Sequence, residues 1–187
     1  RLPLDQDAVS ARLAAPSTIT VRGPEITLTP LALDIGDGRI EAEGSVGERL
    51  DLALAIDALA LSVANAILPD LGLEGTVNGN ARVTGTRNAP QVDFDLAASN
   101  LLAAAGRDAG LPPVSVRAEG TTDGAVLDVV AGVTAPGGID ARATGAVPLA
   151  EGGAFDLAVE IASLPLAALD PLAGNQGLQG NITGSAN

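Results

Sequence analysis

The sequence has 187 residues and a mass of 18.4 kDa, with 47% hydrophobic residues but only 1% aromatic ones. It contains no Cys, His, Met or Lys, which excludes disulfides, thiolate or imidazole nucleophiles, His or Cys metal sites and the Ser-His-Asp arrangement. A net charge of −13 does not favour binding to the phosphate backbone of nucleic acid, and a mean hydropathy of +0.32 argues against disorder.

The start of the chain carries no Met and no signal-peptide pattern. We therefore expect Arg1 to mark a boundary inside a larger protein. The most apolar stretch, residues 50–73, is broken by Asp51, Asp57 and Pro69, so it does not predict a membrane-spanning helix.

Alternation of apolar and polar residues is the dominant signal along the chain. Less regular alternation begins at Ile19 and Val21 and extends to Val46, and the first clear strand follows at residues 50–57. Further strands are predicted around residues 92–96, 114–116, 127–133 and 155–161. Their spacing of roughly ten residues is typical of an all-β protein built of hairpin-connected, mostly antiparallel strands.

Two Ala-rich stretches interrupt this pattern. Residues 61–68 end at Pro69, and residues 165–173 begin with Pro165. Each predicts a short helical turn crossing one end of the sheet.

An internal repeat relates these two stretches. Residues 50–81 match residues 155–186 without a gap at a shift of 105 positions, with identities that include Asp51 with Asp156 and Gly75 with Gly180. The sequence therefore predicts that residues 1–187 form one segment of a longer repeat array.

Candidates for catalysis and metal binding are few. The carboxylate pairs Asp93 with Asp95 and Glu41 with Glu43 are interpreted as the solvated face of half-buried strands rather than as acid/base pairs. Residues 34–38 have a faint resemblance to a calcium loop but lack its terminal Glu. We predict a protein that is not an enzyme and that holds no metal and no cofactor.

The alternation gathers aliphatic side chains on one face of the sheet, and such a face must be covered by a second sheet, by its own far wall or by a ligand. With two aromatic residues to fill a sandwich, the favoured interpretation is an open trough for acyl chains; the alternative is a slim interior filled by the protein. The predicted lining residues are Leu50, Leu52, Leu54, Ile56, Val92, Phe94, Leu96, Leu127, Val129, Phe155, Leu157, Val159 and Ile161.

A family resemblance rests on residues 79–96, GNARVTGTRNAPQVDFDL. This segment resembles the unit G-x-A-x-V-x-G-T-x-x-x-P-x-x-x-x-x-L that recurs in the TamB family, which is related to the AsmA-like proteins. Residues 59–75 look like the lead-in to that unit, and residues 164–182 repeat it.

The resemblance implies an elongated antiparallel sheet curled into a U-shaped hydrophobic groove, the β-taco. It implies a periplasmic segment of an inner-membrane-anchored protein that conducts phospholipids between the two membranes of a Gram-negative envelope. Support of outer-membrane protein assembly and a TamA-type outer-membrane partner are implied as well. The alternatives are a chaperone-like scaffold that presents strand edges to outer-membrane proteins, and a structural stalk with a filled core.

Overall fold

The structure, a computed structural model, describes residues 10–66, 69–149 and 156–187. Its strands are β1 (Ala11–Leu13), β2 (Ile19–Arg22), β3 (Glu25–Ile35), β4 (Gly38–Val46), β5 (Leu50–Ala60), β6 (Glu74–Thr86), β7 (Ala89–Leu102), β8 (Val114–Thr122), β9 (Val126–Ala135), β10 (Ile139–Pro148), β11 (Asp156–Pro165) and β12 (Asn181–Ala186). The helical segments are 3₁₀ turns at Leu61–Ala66, Pro69–Leu71 and Leu166–Leu169, and a short α-helix, α1 (Ala104–Asp108).

All twelve strands belong to one open antiparallel sheet. From β3 to β12 each strand pairs with the next one in the chain, while β1 and β2 both pair with β3. The predicted all-β, antiparallel fold is confirmed. The predicted helical turns correspond to the 3₁₀ turns, although residues 67–68 lie outside the described part; α1 was not predicted.

In the part of the chain that the structure describes, four strands contain a β-bulge that preserves the alternation. In β3, β5, β7 and β11 one extra residue is inserted relative to the following strand. The insertions fall between Leu28 and Leu31, Ile56 and Leu59, Ala98 and Leu101, and Ile161 and Leu164. Without the bulge, a spacing of three between apolar residues would turn the second one to the opposite face.

A side-chain clamp recurs in two of the connections. The side chain of Asn65 accepts a hydrogen bond from the backbone N–H of Leu73 (2.8 Å) and donates one to its carbonyl oxygen (3.0 Å). At the same places 105 residues later, Asp170 accepts a hydrogen bond from the backbone N–H of Leu178 (2.9 Å). Each clamp fixes the return of the chain from a 3₁₀ turn into the next strand.

The two ends of the strands differ. At one end, called the turn rim, short turns lie at residues 23–24, 47–49, 87–88 and 123–125. Gly23 has φ +61° in its two-residue turn, a conformation that favours glycine at the first central position of such turns. The opposite end, called the helical rim, carries the 3₁₀ turns and α1.

Candidate functional site

The predicted lining residues lie on one face of the sheet. Residues directly opposite each other in an antiparallel pair point to the same side. Leu54 is opposite Ala81, which is opposite Phe94. Followed through the sheet, this register gives an apolar face that contains Leu50, Leu52, Leu54, Ile56, Val92, Phe94, Leu96, Leu127, Val129, Leu157, Val159 and Ile161. The remaining predicted residue, Phe155, lies outside the described residues.

The apolar residues form rows that run across the strands. One row consists of Leu54, Ala81, Phe94, Gly120, Val129, Gly145 and Leu157. The next consists of Ile56, Gly79, Leu96, Ala118, Ala131, Ala143, Val159 and Ala186. With strands about 4.8 Å apart, the nine spacings from β3 to β12 make the apolar face about 43 Å long.

In the described structure all strands belong to one sheet, so no second sheet packs against this face. No hydrophobic side chain of the described residues is buried, and Leu54 and Leu157 are 37% and 44% exposed. The protein exposes 12,223 Å² of accessible surface, against about 8,200 Å² for a globular monomer of the same mass. The chain is therefore a single layer rather than a filled sandwich.

Glycines on the apolar face make room for large neighbours. A Cβ placed on Gly120 would lie 2.7 Å from the Cε1 and Cζ atoms of Phe94, and one on Gly79 would lie 2.6 Å from Cδ2 of Leu96. The large side chain thus lies over the glycine of the neighbouring strand. This pairing of large residues with glycines depends on the strand register, which the sequence alone does not give.

The opposite face, called the polar face, carries a concavity that was not predicted. It has a volume of about 810 Å³ and spans six strands from β6 to β11. Its charged lining residues are Arg82, Asp93, Asp95, Glu119, Asp128 and Asp156. A second concavity of about 460 Å³ on the same face is lined in part by Glu41, Glu43 and Arg82.

Three carboxylates of the polar face, those of Asp51, Asp93 and Asp95, are bound by side chains of neighbouring strands. Thr121 donates a hydrogen bond to Asp93 (2.8 Å), and a guanidinium nitrogen of Arg117 lies 2.6 Å from Asp95. Arg82 pairs with Asp51 at 3.0 Å. In the described part of the chain, no group of three or more Asp and Glu side chains is placed to hold a metal ion.

Two exposed groups have shifted pKa values. The pKa of Arg39 is raised, first by its hydrogen bond to Asp34 and then by the charge of that carboxylate. The pKa of Asp123 is lowered because its carboxylate accepts hydrogen bonds from the backbone N–H groups of Ala125 and Val126. The first is a cross-strand ion pair and the second caps the β8–β9 turn, so both are structural.

The comparisons with known proteins identify the family. Residues 11–103, about half of the chain, match the sequence model of the family described as TamB, N-terminal domain. No curated protein and no solved structure gives a significant match. Among the described residues, no helix has the length and hydropathy required to span a bilayer. The chain belongs, through residues 11–103, to the TamB family of non-enzymatic cell-envelope components that take part in lipid transport or outer-membrane assembly.

Proposed function

We propose that the apolar face conducts the acyl chains of phospholipids. In this proposal the chain is a periplasmic segment of an inner-membrane-anchored protein that moves phospholipids between the inner and outer membranes and thereby supports outer-membrane protein assembly. A TamA-type outer-membrane protein would be its partner through the full-length chain. Family membership indicates a role in envelope transport or assembly. The argument that the transported molecule is a lipid comes from the apolar face of the sheet.

The observation that carries the proposal is the uncovered apolar face. An acyl chain that lies on it removes apolar area from water on both sides, at about 0.8 kcal/mol for each methylene that is fully buried. Among the described residues of the apolar rows, Thr122 is the one polar residue, and its hydroxyl accepts a hydrogen bond from the N–H of Gly124. The rows therefore provide apolar contact without directional hydrogen bonds, which suits an acyl chain that must slide along the face.

The continuity of the rows favours conduction over storage. An apolar face about 43 Å long exceeds the length of one extended acyl chain, and no polar side chain crosses its middle. We propose further that the sheet curls around this face into a U-shaped groove. The four bulges support curling, because bulges bend a strand and increase its twist.

The organisation as one segment of a longer array with a 105-residue repeat is also a proposal. It is supported by the clamps at Asn65 and Asp170 and by the bulges after Ile56 and Ile161, which occupy equivalent positions.

A pair of adjacent substitutions tests the proposal. Leu54 lies on the apolar face and Ala55 on the polar face of the same strand. We expect Leu54→Asp to weaken phospholipid binding at least about tenfold, because an acyl chain over the carboxylate would strip its water. We expect Ala55→Asp to bind like the unsubstituted chain. Native mass spectrometry of protein purified without detergent measures the bound lipid, and far-UV circular dichroism checks the fold.

The neighbouring pair Val159→Asp and Ala158→Asp repeats the test at the other end of the face. Equal lipid binding by all four folded variants would exclude conduction along the apolar face. A lipid-free mass for the unsubstituted chain, with no uptake of fluorescent phospholipid, would turn attention to the scaffold function.

A further inference from the structure

Among the described residues, several arginines form no ion pair with another described residue, and most of these lie at one corner of the sheet. In the described part of the chain, five arginines form ion pairs within 4 Å: Arg12, Arg39, Arg82, Arg107 and Arg117. Those outside the described ion pairs are Arg22, Arg49, Arg87 and Arg142. Of these four, Arg142 lies in the middle of β10 opposite Glu160, whereas Arg22, Arg49 and Arg87 lie in or next to three turns of the turn rim.

Contacts draw these three turns together. Arg87, in the β6–β7 turn, donates a hydrogen bond of 3.4 Å to the carbonyl oxygen of Pro24 in the β2–β3 turn. Arg49, beside the β4–β5 turn, forms an isolated bridge with Thr86 at the end of β6. Arg22, Arg49 and Arg87 are all exposed. The turns therefore converge, and three exposed arginines lie along this part of the turn rim.

The charge of this corner is unlike that of the rest of the molecule. The whole chain carries a net charge of −13. At the corner, the acidic residues are Glu25, opposite Arg22, and Glu48, next to Arg49. Neither takes part in an ion pair within 4 Å among the described residues, so the guanidinium groups are available to another anion.

The corner adjoins the most exposed part of the apolar face. Ile19 and Val21 are 66% and 65% exposed, and Ile26 is 41% exposed. Val21 and Ile26 are opposite each other, one residue from Arg22 and its partner Glu25. Long arginine side chains at a rim can keep their charge in water while their stems lie along apolar surface. Val21 lies on the apolar face and Arg22 alternates to the polar face, so the apolar area and the cations meet at the rim itself, where an amphiphile on the apolar face presents its headgroup.

We propose that Arg22, Arg49 and Arg87 bind the phosphate headgroup of an anionic phospholipid whose acyl chains lie on Ile19, Val21 and Ile26. The guanidinium groups match phosphate because each offers several N–H donors in a planar fork. The inference rests on the proposed function and adds to it a headgroup preference and an entry position on the turn rim.

The experiment compares two lipids with the same fluorescent acyl chains, phosphatidylglycerol and diacylglycerol, delivered as monomers from cyclodextrin to the full chain. The test variant is R22Q/R49Q/R87Q. The control variant R82Q/R117Q/R142Q removes the same charge from the polar face. We expect the test variant to bind phosphatidylglycerol about tenfold more weakly, since each exposed ionic contact contributes modestly. Binding of diacylglycerol by the test variant, and of both lipids by the control variant, should stay within about twofold.

The outcomes separate the two proposals. Equal loss of phosphatidylglycerol binding in both triple variants, or no preference for phosphatidylglycerol in the unsubstituted chain, would overturn the headgroup site while leaving acyl-chain binding intact. Inorganic phosphate that binds at the three arginines without any effect of their substitution on lipid affinity would assign the corner to free phosphate and also overturn it. Failure of the unsubstituted chain to bind either lipid would overturn the proposed function, and the headgroup site with it.

Discussion

The two faces of this sheet share one backbone and differ in what their side chains contact. On the apolar face, large residues lie over the glycines of neighbouring strands, as Phe94 does over Gly120. On the polar face, charged residues pair across strands around an 810 Å³ concavity. Protein domains ordinarily bury an apolar sheet face against a second layer. Here the ladder hydrogen bonds and the contacts within each face hold the sheet, so its apolar face is free to take a ligand.

The largest expected difference between the faces is the loss of stability when a side chain is added at a glycine. A Cβ on Gly79, on the apolar face, would overlap the backbone carbonyl oxygen of Asp95, whereas one on Gly132, on the polar face, would have nothing within 4 Å. We expect Gly79→Val to lower the free energy of unfolding by about 3 kcal/mol or more, because backbone atoms must move. Gly132→Val should change it by less than about 1 kcal/mol. Urea unfolding with unchanged m-values measures both.

Equal losses of unfolding free energy in Gly79→Val and Gly132→Val would contradict the strand register on which the assignment of the faces depends. A large cost at Gly132 alone would mean that the polar face, not the apolar face, packs closely between strands.

A second prediction sharpens the contrast between an open and a filled apolar face. Ala131 lies between Ala118 and Ala143 in a row of alanines. We expect Ala131→Leu to change the free energy of unfolding by less than about 1 kcal/mol, because nothing lies above it; a covered core would lose about 1–3 kcal/mol from overpacking. Thermal unfolding of the lipid-free chain measures this, with Ala118→Leu as a second test in the same row. A loss of the larger size at both positions would indicate a filled interior.

Much of this fold was predictable because alternation has a period of two and depends only on local residue order. The runs at Leu50–Ile56 and Leu157–Ile161 gave their strands and faces correctly. The 3₁₀ turns were predictable because Pro69 and Pro165 mark where an Ala-rich stretch must end or begin.

What escaped prediction depends on pairing between strands. A spacing of three, as from Ile56 to Leu59, interrupts the alternation, and only the register shows that a bulge restores the face. The contact from Arg87 to Pro24 joins residues 63 positions apart, so the convergence of the turn rim has no local signal. The concavity of the polar face likewise arises from six strands together.

The smallest expected effect concerns the ion pairs of the polar face. Arg117 and Asp95 lie 2.6 Å apart, but their side chains are 67% and 40% exposed. A double-mutant cycle with Arg117→Ala and Asp95→Ala should give a coupling energy of about 0.5 kcal/mol, because solvent screens the pair and ordering two side chains opposes it. The coupling should disappear in high salt. A coupling above about 2 kcal/mol that persists in salt would show that the concavity beside Asp95 excludes water, and the polar face would then be a second binding surface rather than a solvated one.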